Sequence, residues 1–427
     1  MPLIKPFTGL RPAPGRAADV AAPPYDVMNL AEARRMVHDR PWSFLHISRP
    51  EVDLPTEIDP FADAVYNKAR ENLERMLAEP VLIRDPHPSY YVYRLTMGSH
   101  RQTGLVASAS VAAYDSGRIK KHEFTRPAKE DDRVRQIDAL NAQTGPVFLV
   151  YRANREIDEI LMQSCRAPPE VEVVADDNVR HQVWIIDDRA TIERLSLAFD
   201  ALDALYVADG HHRSAAASRV ARAKRARDSG SDQTPDAAPD TAAEVAAEAP
   251  HQYFLSVVFP HDQMQILPYN RVLRDLNGLD QAAFMNRVGA AFQIEPSDTP
   301  VQPVGPGEFG MYLDGHWYRL RLDPQRIPAD DPVRRLDVSL LQDNLIGPIL
   351  GVDDPRRDER IDFVGGIRGL DGLRARVDGG DMRVAFSLHP TQMHDLMAVA
   401  DAGDVMPPKS TWFEPKLADG LVSHVIE

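Results

Sequence analysis

The chain of 427 residues contains one cysteine, Cys165. An intramolecular disulfide is therefore impossible and a cysteine-built zinc cluster is excluded, which suits a reducing compartment. No run of about 18 apolar residues occurs, so no membrane partner is expected. The opening Met1-Pro2-Leu3-Ile4-Lys5-Pro6-Phe7 lacks the long apolar core of a secretory signal, and the cytoplasm is the expected address. Positive charge is in the minority: 49 Lys and Arg against 64 Asp and Glu give a formal charge of -15. Proteins that bind duplex nucleic acid draw most of their affinity from phosphate neutralisation and carry a basic surplus, so no nucleic-acid partner is expected. A local basic pocket for a nucleotide stays open. The sequence also lacks a Gly-x-x-x-x-Gly-Lys-Ser/Thr loop, a Gly-x-Gly-x-x-Gly turn, a Gly-x-Ser-x-Gly elbow and a His-Glu-x-x-His helix. The common nucleotide-binding and hydrolase signatures are thus not indicated.

What is present is a globular composition, 43% hydrophobic and 26% charged, long enough for two or three structural units. The first fifty residues are proline-rich and read as turns and extended connections. Apolar periodicity predicts helices over 30–38, capped by Asn29, and over 61–77. Strands over 89–95 and 104–111 flank a Gly98 bend and suggest a hairpin. A helix over 129–141, strands over 146–151, 181–186, 205–208 and 253–259, and a helix over 191–202 follow. The segment near 225–250 has almost no large apolar side chains and reads as a flexible insertion. Mixed helices (280–292, 338–345, 390–399) and strands (317–322, 382–388) fill the last third. The expectation is an α/β (α+β mixed) fold.

The most informative stretch is Leu205-Tyr206-Val207-Ala208-Asp209-Gly210-His211-His212-Arg213-Ser214. A buried strand ends, glycine permits a tight turn, and a helix is expected to open at Ser214. The first amides of a helix lack internal partners and sit at the positive end of its dipole, which makes an anion site. Gly210 removes a Cβ from the path of a ligand. Arg213 supplies a fork for phosphate oxygens, and His211 and His212 can donate hydrogen bonds. Asp209 is a candidate Mg²⁺ ligand or histidine-orienting group. The plainer alternatives are that Asp209 caps the helix and that the histidines form a structural network.

A second constellation is Lys121-His122-Glu123-Phe124-Thr125-Arg126, between a strand-like run and a helix. A carboxylate such as Glu123 there can take a proton from a hydroxyl, with His122 beside it, while Lys121 and Arg126 can face phosphate. A solvated charged face is the bland alternative. Candidate walls of a substrate pocket are Tyr25 and Asp26 in Pro23-Pro24-Tyr25-Asp26, Arg49, Asn270 and Arg271, and Lys409 and Lys416 near the end.

Taken together, Pro23-Pro24-Tyr25-Asp26, His122-Glu123-Phe124-Thr125, the Asp-Gly-His-His-Arg turn, Leu267-Pro268-Tyr269-Asn270-Arg271 and Met406 through Lys416 resemble a bacterial and archaeal family catalogued as domain of unknown function number ten-fifteen. The pairing of His122-Glu123 with Asp209-Gly210-His211-His212-Arg213 is also similar to the free serine kinases of the ParB/sulfiredoxin superfamily. That resemblance implies a ParB/sulfiredoxin-like core with a mixed sheet over 115–265, flanked by α/β extensions over 1–114 and 266–427. It implies Glu123 as base on a substrate hydroxyl, the turn as the seat of nucleotide phosphate, and ATP or ADP with Mg²⁺ as cofactors. The expected activity is a kinase acting on a small hydroxyl metabolite, with free L-serine one candidate. A metal-dependent phosphatase built on Asp209, His211, His212 and His122, and a non-catalytic nucleotide-binding switch, are the alternatives.

Overall fold

The computed structural model describes residues 2–231 and 249–427. Most of the insertion read near 225–250 therefore lies outside the described residues. The chain divides into two compact units: Met1–Met264 together with Pro415–Glu427, and Gln265–Glu414.

The strands of the first unit, in chain order, are β1 (Ile4–Lys5), β2 (Gly9–Pro12), β3 (Leu82–Arg84), β4 (Tyr90–Met97), β5 (His100–Ser110) and β6 (Ile119–Lys120). They continue with β7 (Ala142–Gln143), β8 (Val147–Tyr151), β9 (Val171–Val174), β10 (Arg180–Ile186), β11 (Leu205–Asp209) and β12 (Tyr253–Pro260). Nine of them form one mixed sheet in the order β6-β11-β8-β12-β5-β4-β10-β9, with β1 also on β5. The expected hairpin is β4–β5, closed where Met97 faces His100. Because β5 pairs with both β4 and β12, the sheet draws strands from both sides of residue 114. Strand β12 is buried at every residue, as a strand covered on both faces must be. Strand β9 at the sheet's end alternates buried and exposed residues.

Two pairings in this sheet are parallel: β8 with β12, and β6 with β11. The second sets the positions of the two segments singled out from sequence. Ile119 faces Leu205 and Lys120 faces Tyr206, so both strands end at the same edge of the sheet. Segments 121–126 and 209–214 thus leave side by side from neighbouring carboxyl ends, the place where open α/β sheets collect ligand-binding loops.

The helices Arg155–Ser164 and Arg189–Asp200 place Ile157, Leu161, Leu195 and Phe199 against the sheet residues Leu105, Leu149 and Trp184. A second core holds Phe44, Ile47, Leu73 and Met76 with Leu10 and Leu82. The helix Leu30–Val37 opens with a full capping box, in which Asn29 accepts from the Glu32 amide and Glu32 accepts from the Asn29 amide. A small sheet joins β3, β2, the strand Ser423–Val425 and β7. It anchors the last residues of the chain, and the Ala22–Asp419 bridge extends that anchorage.

The second unit carries a six-stranded sheet in which Glu308–Leu313, Val384–Leu388 and Tyr269–Leu273 are central. The helix expected over 280–292 stops at Val288, and Phe292–Ser297 is a strand paired with His316–Leu322. The run 338–345 is a short helix, Asp337–Leu341, continued by a π turn, and the strand expected over 382–388 starts at Val384.

Candidate functional site

The helix after β11 opens at His211, not at Ser214, and runs to Ser231. Gly210 is the cause. Its φ of +89° closes the turn at once, a conformation a side chain strongly disfavours. A Cβ there would also lie 3.4 Å from the Val147 backbone. The Arg213 and Ser214 amides are already committed to the Gly210 carbonyl, at 2.9 and 3.1 Å. The amides left at the start of the helix are those of His211 and His212, which donate to no group among the described residues.

The two segments singled out from sequence meet here, although 86 positions separate Glu123 from Asp209. The His122 amide approaches His211 Nε2 at 3.5 Å, and His211 Nδ1 lies 3.6 Å from Glu123 Oε2. The Arg126 amide donates to His212 Nε2 at 3.0 Å. Both rings thus accept at Nε2, which assigns the proton of each neutral imidazole to Nδ1. In His211 that proton faces Glu123.

Both histidines stay neutral near pH 7. Burial drives the pKa of His211 well below the ordinary value, and neighbouring His122 adds to the effect. Burial likewise lowers His212, aided by Lys129. His122 is 1% exposed and meets His211 edge-on at 4.5 Å. Neither of its ring nitrogens has a well-aligned hydrogen-bond partner. Burial pushes its pKa down to about 4, with the poorly aligned Val207 backbone and Asp209 opposing this in part.

Asp209 does not cap the first-turn amides of the helix. Its Oδ1 accepts from the Gly210 amide at 2.8 Å and its Oδ2 pairs with Lys416 at 3.1 Å. Burial opposes the charge, but Lys416 and then Arg213 hold this carboxyl below the usual range. Each carboxylate oxygen thus has one partner and keeps a further lone pair. Among the described residues no three His, Cys, Asp or Glu side chains gather as a metal-ligand set.

Arg213 is turned inward rather than toward the helix tip. Nη1 donates to the Pro146 carbonyl at 2.8 Å, Nη2 lies 3.4 Å from Asp26, and the guanidinium packs over Tyr25 at 5.4 Å. Burial disfavours its charge, yet Asp26, Tyr25 and Asp419 raise its pKa on balance. Ser214 is buried and donates to the His211 carbonyl, so it braces the first turn. Lys121 is exposed and sits 4.2 Å over Tyr114, and the Arg126 side chain is exposed.

The expected pocket walls separate into two groups. Tyr25, Asp26 and Lys416 lie with the turn. Arg49 stands behind them, donating to the Tyr25 and Met28 carbonyls and pairing with Glu51, so it fixes the loop. Asn270, Arg271 and Lys409 belong to the second unit and have internal duties there. Asn270 accepts from the Leu388 amide at 3.1 Å, and Arg271 donates to the Lys409 carbonyl at 3.0 Å. Lys409 takes a positive φ of 58° and sits over Tyr269. Sequence reasoning passed over Arg133, which packs 3.9 Å over Tyr25, and Asp419, which is 1% exposed. Arg133 was hidden inside a charged run. Asp419, in a tail without a motif, gave no signal.

Fold and site together define a mixed α/β protein in which a glycine turn at a helix start stands beside a carboxylate. The chain belongs to the protein family of unknown function DUF1015, whose profile matches residues 4–339. No curated protein matches the sequence. Among solved structures, a conserved hypothetical protein from Pyrococcus furiosus is similar at 12% identity, covering 75% of this chain and 95% of its own, with a TM-score of 0.34. A free serine kinase in complex with AMP is similar at 11% identity, covering 73% and 86%, with a TM-score of 0.34. SbnI with a C-terminal truncation, from Staphylococcus aureus, is similar at 11% identity over 75% and 87%, with a TM-score of 0.36. Among the described residues no helix is long and apolar enough to cross a membrane.

Proposed function

We propose that this protein is a nucleotide-dependent kinase for a small hydroxyl metabolite, with ATP or ADP as donor and free L-serine among the candidate acceptors. The observation that carries this reading is the 3.6 Å approach of Glu123 to His211, on the turn whose first two amides are unspent. An oxyanion-binding helix start and a candidate base thus share one location.

The roles follow from the geometry. The His211 and His212 amides, the helix dipole and the His212 Nδ1–H receive oxygens of the donor phosphate. These donors are uncharged, and Lys416 supplies the nearby positive charge while holding Asp209. Glu123, with its side chain 39% exposed, reaches the solvent side and accepts the acceptor's hydroxyl proton. His211 Nδ1–H faces that carboxylate from 3.6 Å. The acceptor oxygen bonds to phosphorus as the bond to the departing nucleotide phosphate breaks, a reaction that depends mainly on positioning and charge stabilisation. The metal-phosphatase alternative needs a gathered ligand set, which the described residues do not provide.

The test is incubation with ATP or ADP and Mg²⁺ across a panel of amino acids and sugars. The expected result is phosphorylation of a small hydroxyl compound that drops at least about 100-fold in Glu123→Gln, in line with general-base catalysis. Turnover of Glu123→Gln at the wild-type rate would remove the base assignment.

A further inference from the structure

The unit Gln265–Glu414 holds a cluster of two cations on three aromatic rings. Its strands Tyr269–Leu273 and Ile361–Gly365 pair antiparallel, with Tyr269 opposite Gly365 and Arg271 opposite Phe363. Side chains alternate along a strand and directly opposed residues share a side, so these four positions lie on one face of the sheet. Arg271 sits 4.8 Å over the Phe363 ring, and Lys409 sits 5.4 Å over the Tyr269 ring. The two rings meet edge-on at 6.1 Å, and Trp412 meets Tyr269 edge-on at 5.2 Å. Arg271 Nη2 also donates to the Lys409 carbonyl at 3.0 Å, which ties the two cationic residues together.

Arg271 is 5% exposed, yet its guanidinium donates only to the neutral carbonyls of Tyr269, Pro408 and Lys409. Among the described residues neither Arg271 nor Lys409 forms an ion pair with a carboxylate. The acidic residues of the same segments are engaged elsewhere, Asp362 with Arg376 at 2.9 Å and Glu414 with the Trp412 indole at 2.7 Å. Burial pulls Arg271 down to about 9, which Tyr269 opposes. A charge buried without a counter-charge is costly, and buried charges are normally paired. Lys409 stands beside it on a backbone of φ +58°, a left-handed conformation lysine rarely adopts. The cluster thus calls for a negative charge from outside the chain. Stacking is a poor offer here, since cations cover Phe363 and Tyr269, and Gly365 lies so close to Trp412 that a Cβ would come within 2.8 Å of its ring. Two unanswered cations instead match a doubly charged oxyanion, and the guanidinium N–H groups not spent on carbonyls suit its oxygens. Phe363 and Trp412 are half-buried and Lys409 is exposed, so the cluster is open to solvent on the lysine side.

We propose that Arg271 and Lys409 form a seat for a phosphate-bearing small molecule, built from residues other than those of the Gly210 turn and independent of the kinase reading. Calorimetric titration of the full chain with inorganic phosphate, malonate and acetate tests it, in wild type, Lys409→Asn and Arg271→Met. Asparagine tolerates the left-handed backbone at 409 and removes the charge, so an unfolding midpoint at the wild-type value in phosphate-free buffer reports an intact fold. The expected result is that phosphate affinity falls at least about tenfold in Lys409→Asn and further in Arg271→Met, and that the wild type binds acetate at least about tenfold more weakly than phosphate. The turn is a second candidate seat for phosphate, so Lys416→Met is the control: the binding lost in Lys409→Asn is expected to persist there. Equal phosphate affinity in wild type and Lys409→Asn overturns the seat, and so does no phosphate binding by the wild type at about 20 mM. Phosphate bound no more tightly than acetate overturns the dianion, and malonate bound more tightly than phosphate overturns the phosphate class.

Discussion

Replacing His122 by glutamine gives a direct measure of how strongly the interior around the turn excludes charge. His122 is 1% exposed, its ring nitrogens lack aligned partners, and burial holds its pKa near 4 against an ordinary 6.5. In the unfolded chain the imidazole takes a proton near 6.5; in the folded chain it resists down to about 4. The stability contributed by the neutral buried ring is therefore complete above about pH 6.5 and is lost as pH falls through that window. At about 1.4 kcal/mol per pH unit the loss from this one residue reaches about 3 kcal/mol. His211 titrates in the same sense, so the informative quantity is the wild type minus His122→Gln. The assay is urea unfolding at a series of pH values between about 7.5 and 4.5, with NMR titration of the imidazole resonances alongside. The variant's curve is expected to be flatter by about 3 kcal/mol across the window, whatever its offset at neutral pH. Parallel curves, or a His122 resonance that titrates near 6.5, would refute the claim that this ring is held neutral by burial.

Other outcomes follow from single contacts. Gly210→Ala forces a side chain into φ +89° and is expected to destabilise the first unit by about 1–2 kcal/mol, read by denaturant midpoint; an unchanged midpoint would mean the turn relaxes freely. Lys416→Met leaves Asp209 charged beside the phosphate seat, and ADP affinity is expected to fall about tenfold by calorimetry; undiminished affinity would place the nucleotide elsewhere. Asn29→Ala removes the capping box of Leu30–Val37 and is expected to cost about 1 kcal/mol by thermal unfolding, with nucleotide binding untouched.

Local signals that depend on a few neighbouring residues were legible in the sequence. The capped helix after Asn29, the β4–β5 hairpin, the buried strand β12 and the strand-turn-helix at Gly210 all come from period, cap and turn chemistry. The convergence of Glu123 with His211 follows from long-range pairing, the parallel ladder of β6 on β11, which no local pattern encodes. The same holds for Arg213. Its charge and its position after the turn suggested a phosphate fork, but Asp26, the Pro146 carbonyl and Tyr25, brought in from distant segments, draw it inside.

Sequence alone determined which residues can punctuate the chain: a glycine that tolerates positive φ, an asparagine that caps, apolar runs that must be buried. Only the tertiary structure decided which charged groups share a space. Lys416 and Asp419 reach the turn because the strand Ser423–Val425 adds to β2 and β7, and because Asp419 bridges to Ala22. Backbone pairing across the whole length of the chain is set by how all its hydrophobic surfaces are buried together, so it cannot be read from any one segment.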